Sequence, residues 1–191
     1  MMDKDTIIIV SGLPRSGTSM VMKMLEVGGI EPLTDNIRKA DIDNPKGYYE
    51  FERVKKLPED TEWLRDAKGK VVKVLAELMK HLPDGYNYKI IFIERNIEEI
   101  IRSQKKMLIR RGEDPNKVSD DEIKALFNKY LKIMKQRIEK RDNMDVLYIN
   151  YNEIIQNPLG SIKEINQFFD GALDEGKMKA AIDKKLYRNR A

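Results

Sequence analysis

Cysteine is absent from this chain of 191 residues. Disulfides, thiolate-bound zinc and thiol nucleophiles are therefore excluded. Histidine occurs once, so a histidine-rich metal site is excluded as well. No apolar run approaches the ~18 residues of a membrane-spanning helix. The opening Met1-Met2-Asp3-Lys4-Asp5 and the short apolar run after it do not make a signal peptide, and a cytoplasmic protein is expected. Neither sign of charge dominates. Thirty-six basic residues face 32 acidic ones, a net charge of +4 with no long basic run, so nucleic-acid binding is not demanded. The mild positive bias suits an anionic small-molecule ligand. Repeats, low-complexity tracts and linkers are missing too, which predicts one domain over residues 1–191.

What is present reads as alternating strands and helices. Charged residues make up 36% of the chain and alternate in sign along helical stretches, the pattern of solvated helix faces. Residues 6–10 and 88–93 read as buried strands, and 69–75 and 145–149 are further strand candidates. Helices are expected over 17–27, ended by Gly28-Gly29, and over 97–110, 151–156, 158–169 and 174–184. Short helical pieces are expected at 51–57 and just before His81. A long amphipathic helix is expected over 119–141, with Ser119 and Glu122 at capping-box spacing. Its apolar stripe would be Ile123, Leu126, Phe127, Tyr130, Ile133, Met134 and Ile138. Strands alternating with helices imply a three-layer α/β/α fold of P-loop type around a central, mostly parallel sheet of about four to five strands.

Ser11-Gly12-Leu13-Pro14-Arg15-Ser16-Gly17-Thr18-Ser19 carries the most chemistry. It lies between a strand and a helix, the order that builds an anion nest from backbone amides and a helix N-terminus. Gly12 and Gly17 occupy the glycine positions of the phosphate loop G-x-x-x-x-G-K-[ST], but Thr18 stands where the lysine belongs. A ligandless turn would need none of Pro14, Arg15, Ser16, Thr18 or Ser19. A second constellation follows the strand at 88–93. Arg95 ends it and Ser103 lies eight residues later, one helical face on, a forked cation and a hydroxyl suited to a phosphate. Both constellations follow strands, so they are expected at one crevice beyond the carboxyl ends of the sheet.

The loop resembles the 5′-phosphosulfate loop of sulfotransferases that use 3′-phosphoadenosine 5′-phosphosulfate (PAPS), in its P-R-S-G-T-[ST] version. The stretch Ile93 to Ser103 resembles that family's 3′-phosphate segment at both ligand positions. Asn44-Pro45-Lys46-Gly47-Tyr48-Tyr49-Glu50 resembles a segment common in microbial sulfotransferase-like proteins. Tyr148 to Pro158 resembles a late strand-to-helix segment, with Asn152 in place of an acidic residue. The resemblance implies that Gly12, Leu13, Pro14, Arg15, Ser16, Gly17, Thr18 and Ser19 hold the phosphosulfate and that Arg95 and Ser103 hold the 3′-phosphate. It implies PAPS as co-substrate and no metal. The acceptor is a small molecule or a glycan, lipid or peptide, with its pocket expected from residues 31–66 and 105–125.

Sulfuryl transfer needs a base for the acceptor's proton and positive charge on the transferring oxygens. By resemblance the base is Glu50, whose bland alternative is a loop carboxylate paired with Arg53 or Lys46. Asp35, Asp41 and Asp43 stand behind it. Arg15 and Lys73 are the candidate catalytic cations. His81-Leu82-Pro83 imitates a family base motif, but its spacing is wrong; Leu75 falls at the histidine place, and His81 reads as the end of a helix. Trp63, Tyr48 and Tyr49 read as core first and pocket second. Residues 186–190 form a basic tail. Two rival functions stay open. A small-molecule or nucleotide kinase would need the missing loop lysine and a magnesium-binding acid. A non-catalytic PAPS- or nucleotide-binding protein would keep the cleft without a working base.

Overall fold

The computed structural model describes residues 3–35, 37–42, 44 and 47–183. Four parallel strands form its sheet: β1 (Ile7–Gly12), β2 (Val71–Lys73), β3 (Tyr88–Glu94) and β4 (Met144–Asn150), in the spatial order β2-β1-β3-β4. The register aligns Gly12 with Ile93 and Glu94 with Asn150, so β1, β3 and β4 end nearly level, and β2 ends at the same edge with Lys73 opposite Val10. The chain leaves β1 for a neighbour on one side and later returns to the other. That reversal is the topological switch point where open α/β sheets hold ligands.

Period-two alternation buries both faces of the sheet. Ile8, Val10, Ile91, Ile93 and Ile149 face a layer made by α1 (Thr18–Gly28), α4 (Tyr151–Gln156), α5 (Pro158–Phe168) and α6 (Glu175–Ala181). Ile7, Ile9, Val72, Ile90 and Phe92 face the other layer, which holds Trp63, Leu64, Met79 and the end of α3 (Asp120–Ile138). Short 3-10 helices at Glu52–Lys56, Glu62–Ala67 and Ala76–His81 complete that side. The three-layer α/β/α fold expected from the sequence is the observed one, with four strands.

Local signals account for most of the boundaries. Gly29 ends α1 in the left-handed conformation at φ 117°, with its N–H closing on the last turn. Ser119 and Glu122 form the expected reciprocal capping box at the start of α3. Asn96 caps α2 (Ile97–Arg110) through its side chain, and Asn150 caps α4.

Two expectations are corrected, and one element was not foreseen. The long helix is shorter than residues 119–141, and only Met134 and Ile138 of its stripe are buried, while Leu126 and Ile133 are 63% and 40% exposed. The reason is placement: only the last turns of α3 reach the sheet, and its earlier part packs against α2. The 3-10 helix at Glu62–Ala67 had no sequence signal, yet it carries fully buried Trp63 into the core. The last helix ends at Ala181, short of residue 184.

Candidate active site

The loop after β1 is fixed by backbone demands that few residues meet. Gly17 caps α1 at φ 104°, and a Cβ there would lie 2.3 Å from the Tyr151 ring. Only glycine satisfies both the left-handed backbone and the ring contact. No side-chain hydrogen bond caps α1, the Met20 and Val21 amides close on the Gly17 carbonyl, and Gly17, Thr18 and Ser19 line the cleft where the sequence led to an anion nest being expected. A Cβ on Gly12 would meet Ser16 Oγ at 2.6 Å and the Ile93 carbonyl at 2.7 Å. Arg15 itself has φ 71°, a left-handed conformation that costs a non-glycine residue energy and clusters at ligand loops.

Arg95 pins that strained residue from the neighbouring strand. Its Nη1 donates to the Arg15 carbonyl at 3.0 Å, and its Nε donates to Glu99 Oε2 at 2.8 Å. Its guanidinium lies 4.3 Å from the centre of the Tyr151 ring. Glu99 is almost fully buried and also accepts from Asn152 Nδ2 at 3.0 Å. An acid at position 152 would set two carboxylates against each other, so the amide in place of the family's acid fits its surroundings. Arg15 Nε donates to Ser103 Oγ at 3.0 Å. Arg15 therefore reaches the Arg95–Ser103 end of the cleft.

Lys73 ends β2 and is buried, with its ammonium donating to the Tyr48 carbonyl and standing 3.7 Å from Glu50 Oε1. Burial pushes its pKa down from 10.5 to about 8; the Glu50 carboxylate opposes that shift, and Arg38 and Arg15 reinforce it. Arg38 Nη1 donates to the same Glu50 oxygen at 2.7 Å, and its guanidinium carbon sits 3.4 Å above the Tyr48 ring. Tyr48 Oη donates to the Asp41 carboxylate at 2.7 and 2.8 Å. Burial first, and the Asp41 hydrogen bond second, raise the Tyr48 pKa. Ser19 Oγ donates to the Tyr48 carbonyl at 3.2 Å and accepts from Asn44 Nδ2 at 2.9 Å, tying this segment to α1.

One cleft of about 330 Å³ joins these groups. Pro14, Arg15, Gly17, Thr18, Ser19, Glu50, Lys73, Arg95 and Ser103, all expected from the sequence, line it. Gly12, Leu13 and Ser16 shape the loop behind its wall; Ser16 is fully buried, and its hydroxyl has no partner among the described residues. Among the described residues the expected pocket segments contribute Arg38, Ile42, Asn44, Tyr48 and Glu50 from the first and Lys106, Met107 and Arg110 from the second. Leu75, at the family's histidine place, does line the cleft, whereas His81 ends a 3-10 helix away from it. Glu50 pairs with Arg38 and Lys73 and not with Arg53, which binds Asp60. Asp35 accepts from the Ile37 and Glu52 amides, so it braces its loop, and Asp41 serves Tyr48. Asp43, Pro45, Lys46 and the basic tail at 186–190 lie outside the described residues.

Sequence reasoning missed Arg38, Glu99 and the ring of Tyr151. An acid four residues after a strand-end arginine was the available signal for Glu99. Nothing local marks Arg38 or Tyr151, because their partners are distant in sequence. Tyr48 belongs to the cleft wall, Trp63 to the core, and Tyr49 donates to Glu26 at 2.6 Å.

The family model for the sulfotransferase domain matches residues 4–189. A mouse sulfotransferase complexed with PAP superposes with a TM-score of 0.59 at 20% identity, covering 98% of this chain and 68% of that one. A sulfotransferase from Alicyclobacillus acidocaldarius gives 0.52 at 17% identity, covering 86% and 81%. A sulfotransferase domain from the curacin biosynthetic pathway gives 0.51 at 14% identity, covering 88% and 75%. At these identities the structural likeness speaks for the fold. Curated protein sequences give no match.

Proposed function

The chain belongs to the sulfotransferase domain family, whose chemistry is sulfuryl transfer, and from that premise we propose that it takes the group from PAPS and passes it to a hydroxyl or amine. The observation that carries this reading is the single cleft shared by the loop of residues 12–19 and the Arg95–Ser103 pair. A nucleotide phosphorylated at both 5′ and 3′ positions needs two anion sites, and the cleft supplies donors for both. A mouse relative in fold is complexed with PAP, the 3′,5′-bisphosphate that transfer would leave behind.

In this reading the loop amides, Thr18 and Ser19 hold the phosphosulfate, and Arg95, Ser103 and Arg15 meet the 3′-phosphate. The acceptor oxygen or nitrogen attacks sulfur, and the bond from sulfur to the bridging phosphate oxygen breaks. Lys73 beside the loop offsets charge on the leaving oxygen. Glu50, 3.7 Å from Lys73, takes the acceptor's proton.

A kinase fits less well. The loop has no lysine, and Glu94 at the end of β3 is held by Lys135 at 2.5 Å. Non-catalytic PAPS binding is the second reading, favoured by one observation: the Glu50 carboxylate is already engaged by two cations. Thermal shift separates the kinase from the two PAPS readings, and transfer of labelled sulfate to an acceptor separates those two. PAP at a hundred times its Kd stabilises by about 2.7 kcal/mol, and it is expected to exceed adenosine 5′-monophosphate and ATP with magnesium. Equal shifts with and without the 3′-phosphate would overturn the PAPS reading.

A further inference from the structure

We propose that Arg38 is the receptor for an anionic group of the acceptor, so that the acceptor is a hydroxylated or aminated molecule carrying a forked oxyanion, a carboxylate in its simplest form. The inference rests on the sulfuryl-transfer reading only in calling this molecule the acceptor; the anion site is argued from geometry.

Arg38 is held from two sides. Glu50 accepts from Nη1 at 2.7 Å, and the centre of the Tyr48 ring lies 3.4 Å from the guanidinium carbon. The ring cannot swing away, because Asp41 accepts from its hydroxyl. This costs the guanidinium its freedom but few of its donors. Its Nε and Nη2 make no hydrogen bond among the described residues, and its side chain is 36% exposed on the cleft wall. A fixed guanidinium with an open donor edge is preorganised for a carboxylate or its equivalent.

The charges at this end of the cleft are matched. Glu50 stands between two cations, Arg38 at 2.7 Å and Lys73 at 3.7 Å. The Asp41 carboxylate is turned to Tyr48, and Lys23 is matched by Glu26. Glu50 and Asp41 thus answer the charges of Arg38 and Lys73, and what the wall offers an incoming anion is the open donor edge of Arg38. Apolar Ile42 and Leu75 line the same end, Ile42 being 66% exposed. The site thus offers a hydrophobic surface beside a cation and excludes neither an aromatic nor an aliphatic body. In the sulfuryl-transfer reading the phosphosulfate has its own partners in the loop of residues 12–19.

Matched acid and amide probes test this on the whole protein saturated with PAP. In NMR titrations of 4-hydroxyphenylacetate and 6-hydroxyhexanoate against their primary amides, each acid is expected to bind on the order of tenfold tighter than its amide. Arg38→Gln should erase the preference, Arg38→Lys should keep part of it, and PAP affinity should stay within about twofold in both. The spectra themselves report whether each variant is folded. Equal binding of acid and amide, or no binding of either acid, overturns the proposal. So does a loss of PAP affinity in Arg38→Gln as large as the loss of acid binding, which would assign Arg38 to the donor. If PAP fails to bind the wild-type protein, the sulfuryl-donor reading fails instead, and the same titrations without PAP still decide the anion site.

Discussion

Arg15 Nε donates to Ser103 Oγ at 3.0 Å, across 88 residues of sequence. The bond joins the loop after β1 to the face of α2, and Arg95 closes the same unit by donating to the Arg15 carbonyl. Two motifs that look independent along the chain are one device in space. Arg15→Ala and Ser103→Ala are therefore expected to be non-additive in PAP affinity, with a coupling of about 0.5–3 kcal/mol by calorimetry. Strict additivity would separate Arg15 from the 3′-phosphate end and return it to the sulfuryl group.

Gly17→Ala meets two obstacles: the left-handed backbone at φ 104° and the Tyr151 ring 2.3 Å from the new Cβ. Gly29 is also left-handed, at φ 117°, but nothing lies within 4 Å of its added Cβ. Gly29→Ala should therefore cost roughly 1–2 kcal/mol of stability and leave PAP binding intact. Gly17→Ala should cost more and abolish the PAP-induced thermal shift. Equal behaviour of the two would show that the ring contact is easily relieved.

Glu99 is the buried counter-charge of Arg95 and the acceptor for Asn152. Glu99→Ala leaves a buried guanidinium without its carboxylate, a loss of about 3–5 kcal/mol in comparable pairs. Chemical denaturation should show that loss. Glu99→Gln keeps an acceptor and should fold better while still weakening PAP, because Arg95 is no longer held in place. A Glu99→Gln protein with unchanged PAP affinity would make Glu99 purely structural.

Lys73 titrates near pH 8 when folded, against 10.5 ordinarily, because burial disfavours its charge. Between those values the unfolded chain binds more protons than the folded one, so stability contributed at this site rises with pH. Relative to Lys73→Met, the wild-type protein should gain on the order of 3 kcal/mol across that window. Activity should run the other way. If the ammonium offsets charge on the leaving oxygen, kcat/KM falls as pH rises through about 8. A limb rising through the same pH would instead make the neutral amine the base.

Glu50→Gln removes the carboxylate held by Arg38 and Lys73. PAP binding should survive, and turnover on a sulfate-labelled acceptor should fall by roughly 10²–10⁴. His81→Ala should change neither, since His81 does not line the cleft. An active Glu50→Gln protein would remove the base assignment and leave Glu50 as a strut for Arg38.

By itself the sequence determined the layers, the parallel sheet and the loop of residues 12–19. Those follow from near-neighbour physics: apolar runs of strand length, glycines where the backbone must turn left-handed, and capping residues such as Ser119 and Asn96. Arg95, just before α2, and Ser103 on it were singled out through their resemblance to a family segment, since the bare spacing is a weak signal. The tertiary structure decided what those residues touch. Tyr151 reaches Gly17, Arg38 reaches Glu50 and Tyr48, and Arg15 reaches Ser103 only once β1, β2 and β3 end at one edge. Burial was likewise decided by placement. The stripe on α3 has helical periodicity throughout, but only its last turns meet the sheet, so Leu126 stays in water and Ile138 does not. Periodicity fixes which side chains share a face; what covers that face depends on contacts between segments far apart in the chain.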